Sequence, residues 1–389
     1  MKVTRQKRKT WSFPKLGIDG EVLVTTRSGR SLVAASTFLP SQADAFGKRS
    51  FDGGESRYPA PEQRVYHDGV QAEFCTAPQL CREALVRDVR GRLIDLDVRA
   101  SRTHLRIKPE SHGKVSKTQF IKGGEAAAVS GCNASFNVYK EGKNKANNPF
   151  SLDVFCGFHV HMSDEWKEFY NPNGYRDVTK YIYMPAEPEE AAKIIMMCDA
   201  TAGLFSVVFG DDTDKKRREC FHAGDFRFHP DKGRLEYRAP GGSCLRHPAL
   251  VSLIAGGVKN AYASYCAGGF NRMMNVLRPD EIAGIINEHD VGAARRMLKI
   301  VIEFMHDEIK NSVDIFLNEE EEYNTIFGVS YMYLGRQCYK INTGALLLYL
   351  MESEFEYPSV DPGSWEGNGF ISSTAKEFQK KRMFAEVQR

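Results

Sequence analysis

The first 240 residues alternate between short β-type runs and helical patterns. Six runs are alternating or rich in β-branched and aromatic residues, and they cover residues 16–26, 63–76, 103–109, 154–163, 225–229 and 233–239. Apolar spacing predicts helices over Pro78–Val98 and Glu187–Val208, and the second is apolar enough for a core. After Pro240 the pattern is almost wholly helical, including Val291–Leu317 and Gly344–Glu354. Strands first and helices later indicate an α+β fold rather than alternating βαβ units.

Two polar, turn-forming stretches interrupt this pattern, at residues 40–63 and 140–149. A structureless stretch of about 20 residues inside a compact domain is more often a lid or a binding loop than a passive connection. We therefore expect both stretches to shape substrate pockets.

The composition supports a folded core. The chain has 389 residues, of which 42% are hydrophobic and 11% aromatic. The chain has 53 basic and 50 acidic residues, so its net charge is close to zero. This balance argues against a protein that binds nucleic acid over its whole surface. No apolar run approaches the roughly 18 residues of a spanning helix, so no membrane insertion is expected. The nine cysteines form no CxxC pair, which favours reduced thiols, no structural zinc site and a cytoplasmic location.

The first ten residues carry five basic side chains, and no apolar segment follows them as it would in a signal peptide. Two interpretations remain open for this segment. It is either a solvated flexible tail, with bounds 1–12, or a docking arm for an acidic partner such as a polyanion.

Ionisable residues recur two positions apart inside four of the strand-like runs. A period of two places such residues on one face of a strand and the apolar residues between them on the other. The sets are Asp19 and Glu21; Gln71 and Glu73; His159 and His161; and Arg234, Glu236 and Arg238. No Walker, dinucleotide-binding or HExxH motif accompanies them.

Each set alone fits an ordinary solvated face of an antiparallel sheet. Four sets of carboxylates, imidazoles and arginines beside glycines are harder to explain in that way. If the faces converge, they form a cage of oxygen and imidazole ligands rimmed by guanidinium groups. Such a cage suits Mg²⁺ or Mn²⁺ with a polyphosphate. Arginines form paired hydrogen bonds with phosphate, and carboxylates bind the metal ions that bridge phosphate oxygens.

The ordered set resembles the glutamine synthetase and glutamate–cysteine ligase superfamily, and most of all its phage-type amidoligases (COOH-NH2 ligase type 2). Residues 66–73 (YHDGVQAE), 130–137 (SGCNASFN) and 217–227 (RRECFHAGDFR) add to the likeness, which covers roughly residues 15–260. The resemblance implies a curved antiparallel sheet with a catalytic concave face and helices on the other face. It implies a catalytic domain over 13–260 and a helical region over 261–389 packed on it.

The resemblance also implies roles for individual residues. Metal ligands would be Asp19, Glu21, Glu73, His159 and Glu236; catalytic residues would be Arg227, Arg234, Arg238 and His161; ATP would contact Gln71, Ser163, Arg218, Arg227 and Arg238. His161 could instead be a ligand, and Arg217 and Arg218 fit either surface charge or substrate contacts. The upstream glutamate that glutamine synthetases add to the first metal is missing, and Asp68 is the only nearby candidate. The number of metal ions therefore stays open.

The implied activity is ATP-dependent amide-bond formation between a carboxylate and an amine, through an acyl phosphate, with release of ADP and phosphate. The substrates could be small molecules, a peptide or a modified nucleobase, and a homo-oligomer in the cytoplasm of a phage host is compatible with the family. Two rivals remain. One is a metal-dependent amide hydrolase built on His159 and His161, and the other is a non-enzymatic phage or nucleic-acid-binding protein.

Overall fold

The computed structural model describes residues 15–46, 64–79, 82–128, 135–140, 151–163, 166–170, 176–180, 188–229, 234–266, 268–301, 329–334, 337–342 and 362. Five sequence predictions lie wholly or mostly outside these residues: the basic tail, the stretches 40–63 and 140–149, and the helices over 291–317 and 344–354. The domain boundaries at residues 12 and 260 stay predictions.

An antiparallel sheet of eight strands organises the described part of the chain. Its main path runs β2-β3-β1-β8-β12-β11-β6, and β4 pairs with the far end of β1. The strands are β1 (Lys15–Thr26), β2 (Val65–Asp68), β3 (Gln71–Cys75), β4 (Leu105–Lys108), β6 (Phe136–Asn137), β8 (Phe158–Ser163), β11 (Asp225–His229) and β12 (Arg234–Tyr237). A two-stranded sheet of β5 (His112–Lys114) and β7 (Asp153–Phe155) lies apart from this path.

Helices connect and cover these strands. They are α1 (Gln42–Phe46), α2 (Arg82–Arg102), α3 (Lys117–Lys122), α4 (Gly124–Ala128), α5 (Pro188–Cys198), α6 (Leu204–Val208), α7 (Asp212–Arg217), α8 (Pro248–Cys266), α9 (Gly269–Val276) and α10 (Pro279–Glu288), and residues 291–301 are also helical. A π-helical turn, Asp199–Gly203, joins α5 to α6. Short 3₁₀ turns occupy Ala35–Thr37 and Gly242–Arg246.

One face of the main sheet carries the hydrophobic core. Alternate residues of each central strand point into it, among them Ile18, Val22, Phe74, Val160 and Leu235, all at most 1% exposed. Helices α2, α5, α6, α8 and α10 supply the other side of this core. The prediction of an antiparallel sheet packed with helices is confirmed, while the concave curvature of the sheet stays a prediction.

The opposite face of the sheet is divided into two regions. Along β1, the residues on this face are ionisable at Asp19 and Glu21 and become apolar at Leu23. Leu23 packs in a second, smaller apolar cluster with Val115 and Val154, from the segments around β5 and β7. This second cluster covers the far end of β1 and so bounds the ionisable part of the face.

Two hairpins differ from the sequence prediction. The strands β9 (Trp166–Tyr170) and β10 (Arg176–Lys180) pair with each other, as do β13 (Val329–Leu334) and β14 (Gln337–Asn342). The second hairpin corrects the expectation of an almost wholly helical region after residue 260. Its strands, VSYMYL and QCYKIN, carry β-branched and aromatic residues, which favour strands. This composition, and not helical spacing, indicates the structure of the two segments.

The apolar segment Pro188–Val208 also requires a correction. It spans 21 residues with a hydropathy of 1.6 in its most apolar window, long and apolar enough by composition to cross a membrane. The expectation that no apolar run approaches the length of a spanning helix is therefore wrong for this segment. In the fold, 83% of that window is buried among the surrounding elements. This burial explains its apolar composition as that of a core helix.

Candidate active site

The strand registers bring all four predicted sets onto one face of the sheet. Directly paired residues of an antiparallel ladder have side chains on the same side. The pairs are Glu21 with Glu73, Asp19 with His159, Glu236 with His161, and Glu236 with Arg227. The ionisable residues of five neighbouring strands therefore form one continuous surface.

Three carboxylates converge at one end of this surface. Oxygen atoms of Glu21, Asp68 and Glu73 all lie within 4.8 Å of one another, and the set is the one group of potential metal ligands found among the described residues. Asp68 reaches it because β2 and β3 form a tight hairpin, with Gly69 in the left-handed conformation (φ 67°) that such turns require. We name Glu21, Asp68 and Glu73 the acidic cluster.

Neighbouring donors hold two members of the acidic cluster in place. The backbone N–H of Gly157 donates to Glu21 Oε2 at 2.5 Å. The hydroxyl of Tyr66 donates to Glu73 Oε1 at 3.3 Å. Two of the three carboxylates are thus oriented before any ligand arrives.

The acidic cluster is electrostatically strained. Burial, and then the charge of Asp68, raises the pKa of Glu21 from 4.5 to about 7. Burial and the charges of Asp68 and Glu21 also raise the pKa of Glu73. Mutual repulsion in a desolvated site is what a divalent cation would relieve, and oxygen atoms are the ligands that Mg²⁺ and Mn²⁺ prefer.

The other end of the surface is dominated by arginine. Arg238 is 2% exposed and donates to Glu236 Oε1, and the guanidinium of Arg227 lies 3.8 Å from the same oxygen. Burial would raise the pKa of Glu236, but the positive charge of Arg238, with smaller contributions from the histidines and Arg227, lowers it well below its ordinary value. Glu236 is therefore ionised at neutral pH.

The two histidines lie between these ends with different partners. His161 Nε2 is 2.8 Å from Asp19 Oδ2, so Asp19 contacts His161 rather than joining the acidic cluster. His159 Nδ1 is 3.7 Å from Glu236 Oε1, and its buried Nε2 has no hydrogen-bond partner among the described residues. Burial, and then the charge of Arg238, lowers the pKa of His159. A neutral imidazole with an unsatisfied nitrogen is suited to bind a metal ion.

The structure gives a steric explanation for the glycine of the Gly-x-His-x-His run. The imidazole of His159 lies over Gly157, and a Cβ at residue 157 would be 2.2 Å from His159 Nε2. Only glycine leaves room for the ring at that position.

Arg217 and Arg218 differ from both sequence interpretations, surface charge and substrate contact. Both are buried, at 0% and 4% exposure. Arg217 donates to the carbonyls of Arg238 and Ala239 and stacks on Phe221, with 4.3 Å to the ring centre. Arg218 donates to the carbonyl of Ala239 at 2.6 Å and to Ser206 Oγ at 3.2 Å. Both guanidinium groups support the end of β12, so Arg218 has a structural role in place of the predicted contact with ATP.

The remaining predicted residues lie on the same face. Gln71 is buried and opposes Asp68 in the register of the β2–β3 hairpin. Arg234 is half-buried at the start of β12, opposite Ser163. Their roles, like those of the other site residues, stay predictions.

Sequence reasoning gave no role to Tyr66 and named Asp68 only as the candidate for the missing upstream glutamate. The alternation along 63–76 contained a signal for both, because Tyr66, Asp68, Gln71 and Glu73 share a face only if the run folds back at Gly69. The expectation of one continuous strand-like run over 63–76 is wrong, because the Asp-Gly pair inside it is the turn of a hairpin.

Comparisons with known proteins give a limited result. No protein family and no curated protein matches the chain by sequence. Among solved structures it is similar to apo GmaS (15% identity over 79% of this chain and 70% of that chain, TM-score 0.34) and to the GmaS/ADP complex (15%, 79% and 73%, TM-score 0.30). It is also similar to a bifunctional glutathione synthetase from Pasteurella multocida, with 12% identity over 90% of this chain and 57% of that chain, and a TM-score of 0.31. Because each TM-score is below 0.5, the site residues alone carry the argument that follows.

Proposed function

We propose that the protein is an ATP-dependent carboxylate–amine ligase that uses the ionisable face of its main sheet. One observation carries this proposal. A single surface holds one buried and two half-buried carboxylates at one end and an arginine-rich end built around Glu236 at the other. Groups suited to bind metal ions and groups suited to bind phosphate therefore lie next to each other on this surface.

The acidic cluster fits a divalent cation. Its three carboxylate oxygens are mutually close and two of the carboxylates are already oriented by donors. In this proposal Glu21, Asp68 and Glu73 hold one Mg²⁺, and His159 with Glu236 supplies ligands for a second. Bound Mg²⁺ would neutralise phosphate oxygens of ATP. Asp68 then takes the place of the upstream glutamate that the sequence lacks.

The arginines would hold the reacting groups. The guanidinium of Arg238, anchored by Glu236, and the more accessible Arg227 would bind the γ-phosphate and the substrate carboxylate. A carboxylate oxygen attacks the γ-phosphorus and ADP leaves, which gives an acyl phosphate. The amine then attacks the acyl carbon, phosphate leaves, and the nitrogen loses a proton. Fixed guanidinium groups stabilise the negative charge that develops in both steps.

The hydrolase alternative is less well supported by the geometry. The acidic cluster contains oxygen ligands alone, whereas zinc hydrolase sites combine histidine with carboxylate or cysteine. His161 directs Nε2 toward Asp19 rather than toward a shared site with His159. A purely structural or nucleic-acid-binding role leaves the buried, strained carboxylates without an explanation.

A mass-spectrometric search for a condensation product tests the proposal. The full-length protein is incubated with ATP, Mg²⁺ and a small-molecule cell extract, in parallel with the Glu73→Gln variant. We expect an ATP-dependent product whose mass equals an acid plus an amine minus water, absent with the variant. A product that forms without ATP, or masses that correspond to added water, would favour the hydrolase.

A further inference from the structure

Tyr66 contacts the acidic cluster from a position that none of the proposed steps uses. It is 1% exposed and opposes Glu73 in the β2–β3 register. Its hydroxyl donates to Glu73 Oε1 at 3.3 Å and accepts from Gln42 Nε2 of α1 at 3.1 Å. A chain of hydrogen bonds therefore runs from α1 through Tyr66 to the cluster.

Glu73 needs such a partner more than an ordinary carboxylate does. It faces Glu21 on one side and Asp68 within the same cluster, so repulsion drives its side chain away from the position that a cation requires. A neutral hydroxyl that holds one oxygen adds no charge to the site and leaves the other oxygen for the cation. Groups that hold the ligands of a metal in this way commonly change its affinity by 10- to 100-fold.

We propose that Tyr66 is a positioning residue of the cation site and sets its affinity by fixing the Glu73 carboxylate, with Gln42 fixing the hydroxyl in turn. This inference rests on the proposed cation site. It goes beyond that site by assigning a function to Tyr66 and to α1. In this arrangement α1, at the start of the segment 40–63, is coupled to cation binding through two hydrogen bonds.

Direct titration with Mn²⁺ tests the inference without any substrate. Free Mn²⁺ is followed by its electron paramagnetic resonance signal as chelator-treated full-length protein is added. The variants are Tyr66→Phe, which removes one oxygen atom, and Gln42→Ala at an exposed position. The matched control is Tyr139→Phe, because Tyr139 also donates to a buried carboxylate, Asp199, at 3.1 Å.

We expect Tyr66→Phe to weaken Mn²⁺ binding roughly 10- to 100-fold and Gln42→Ala roughly two- to tenfold. Tyr139→Phe should bind as the wild type does. Unfolding measured in excess chelator shows whether a variant is merely destabilised. Gln42→Ala preserves the test if Tyr66→Phe does not fold. Wild-type affinity in both variants would overturn the inference.

The Glu73→Gln variant separates this failure from a failure of the proposed function. If Glu73→Gln loses Mn²⁺ while Tyr66→Phe keeps it, the cation site exists and Tyr66 is only structural. If the wild type binds no Mn²⁺, or Glu73→Gln binds it equally well, the cation site itself is wrong.

Discussion

Replacing Glu21 by glutamine should stabilise the metal-free protein at neutral pH. The change removes a charge from the acidic cluster and keeps an oxygen that can accept the N–H of Gly157. Burial, followed by the charge of Asp68, raises the pKa of Glu21 from 4.5 to about 7. At about 1.4 kcal/mol per pKa unit, ionised Glu21 costs the folded state about 3 kcal/mol.

The sign of the pH dependence follows from the raised pKa. Between pH 4.5 and about 7 the folded state holds a proton at Glu21 that the unfolded state has released. This contribution to stability is complete below pH 4.5 and is lost as the pH rises toward 7. The gain from Glu21→Gln should therefore be near zero at low pH and reach about 3 kcal/mol above neutrality.

Urea unfolding in the presence of chelator, followed by circular dichroism over this pH range, measures the effect. Glu236→Gln is the matched control, because the charge of Arg238 outweighs burial and lowers the pKa of Glu236. The control should lose stability at neutral pH, and the loss should shrink in acid. If Glu21→Gln destabilises the protein near pH 8 as Glu236→Gln does, the strained acidic cluster is refuted.

Three further predictions follow from the two faces of the sheet. Arg238→Lys keeps the positive charge but loses the planar guanidinium group. The affinity for ATP should stay within roughly tenfold of the wild type, while turnover in rapid-quench assays should fall about 100-fold or more. Near-normal turnover would mean that Arg238 only balances the charge of Glu236. Phe74→Ala opens a cavity in the core and should cost about 3–5 kcal/mol in urea unfolding, whereas Glu73→Gln should cost none; equal losses would contradict the assignment of faces. Gly157→Ala should displace His159 and reduce turnover with little change in melting temperature, and unchanged turnover would show that His159 does not act.

The sequence predicted the central sheet well because its strands have one apolar face and one ionisable face. The period of two in β1, β3, β8 and β12 placed the four sets of ionisable residues on a common side, and the registers bring them together. The hairpins β9–β10 and β13–β14 were missed because their strands lack the regular alternation of apolar and ionisable residues that the central strands show.

Sequence patterns could not predict which charged residues are buried. Arg217 and Arg218 occur in a run of four basic residues, which is typical of a solvated surface. In the fold, carbonyls of residues 238 and 239 accept their hydrogen bonds, and Phe221 lies under Arg217. The carbonyl partners lie 21 or 22 residues away in sequence, so only the tertiary structure reveals them.

Phosphorus NMR of substrate-driven ATP turnover tests the central claim most directly. Once the extract has yielded a substrate pair, the spectrum shows which phosphorus bond breaks. The proposed binding of the γ-phosphate by the arginine-rich end predicts ADP and inorganic phosphate in equal amounts, and no turnover in Glu73→Gln. AMP and pyrophosphate would mean adenylation of the acid and would contradict the acyl-phosphate route.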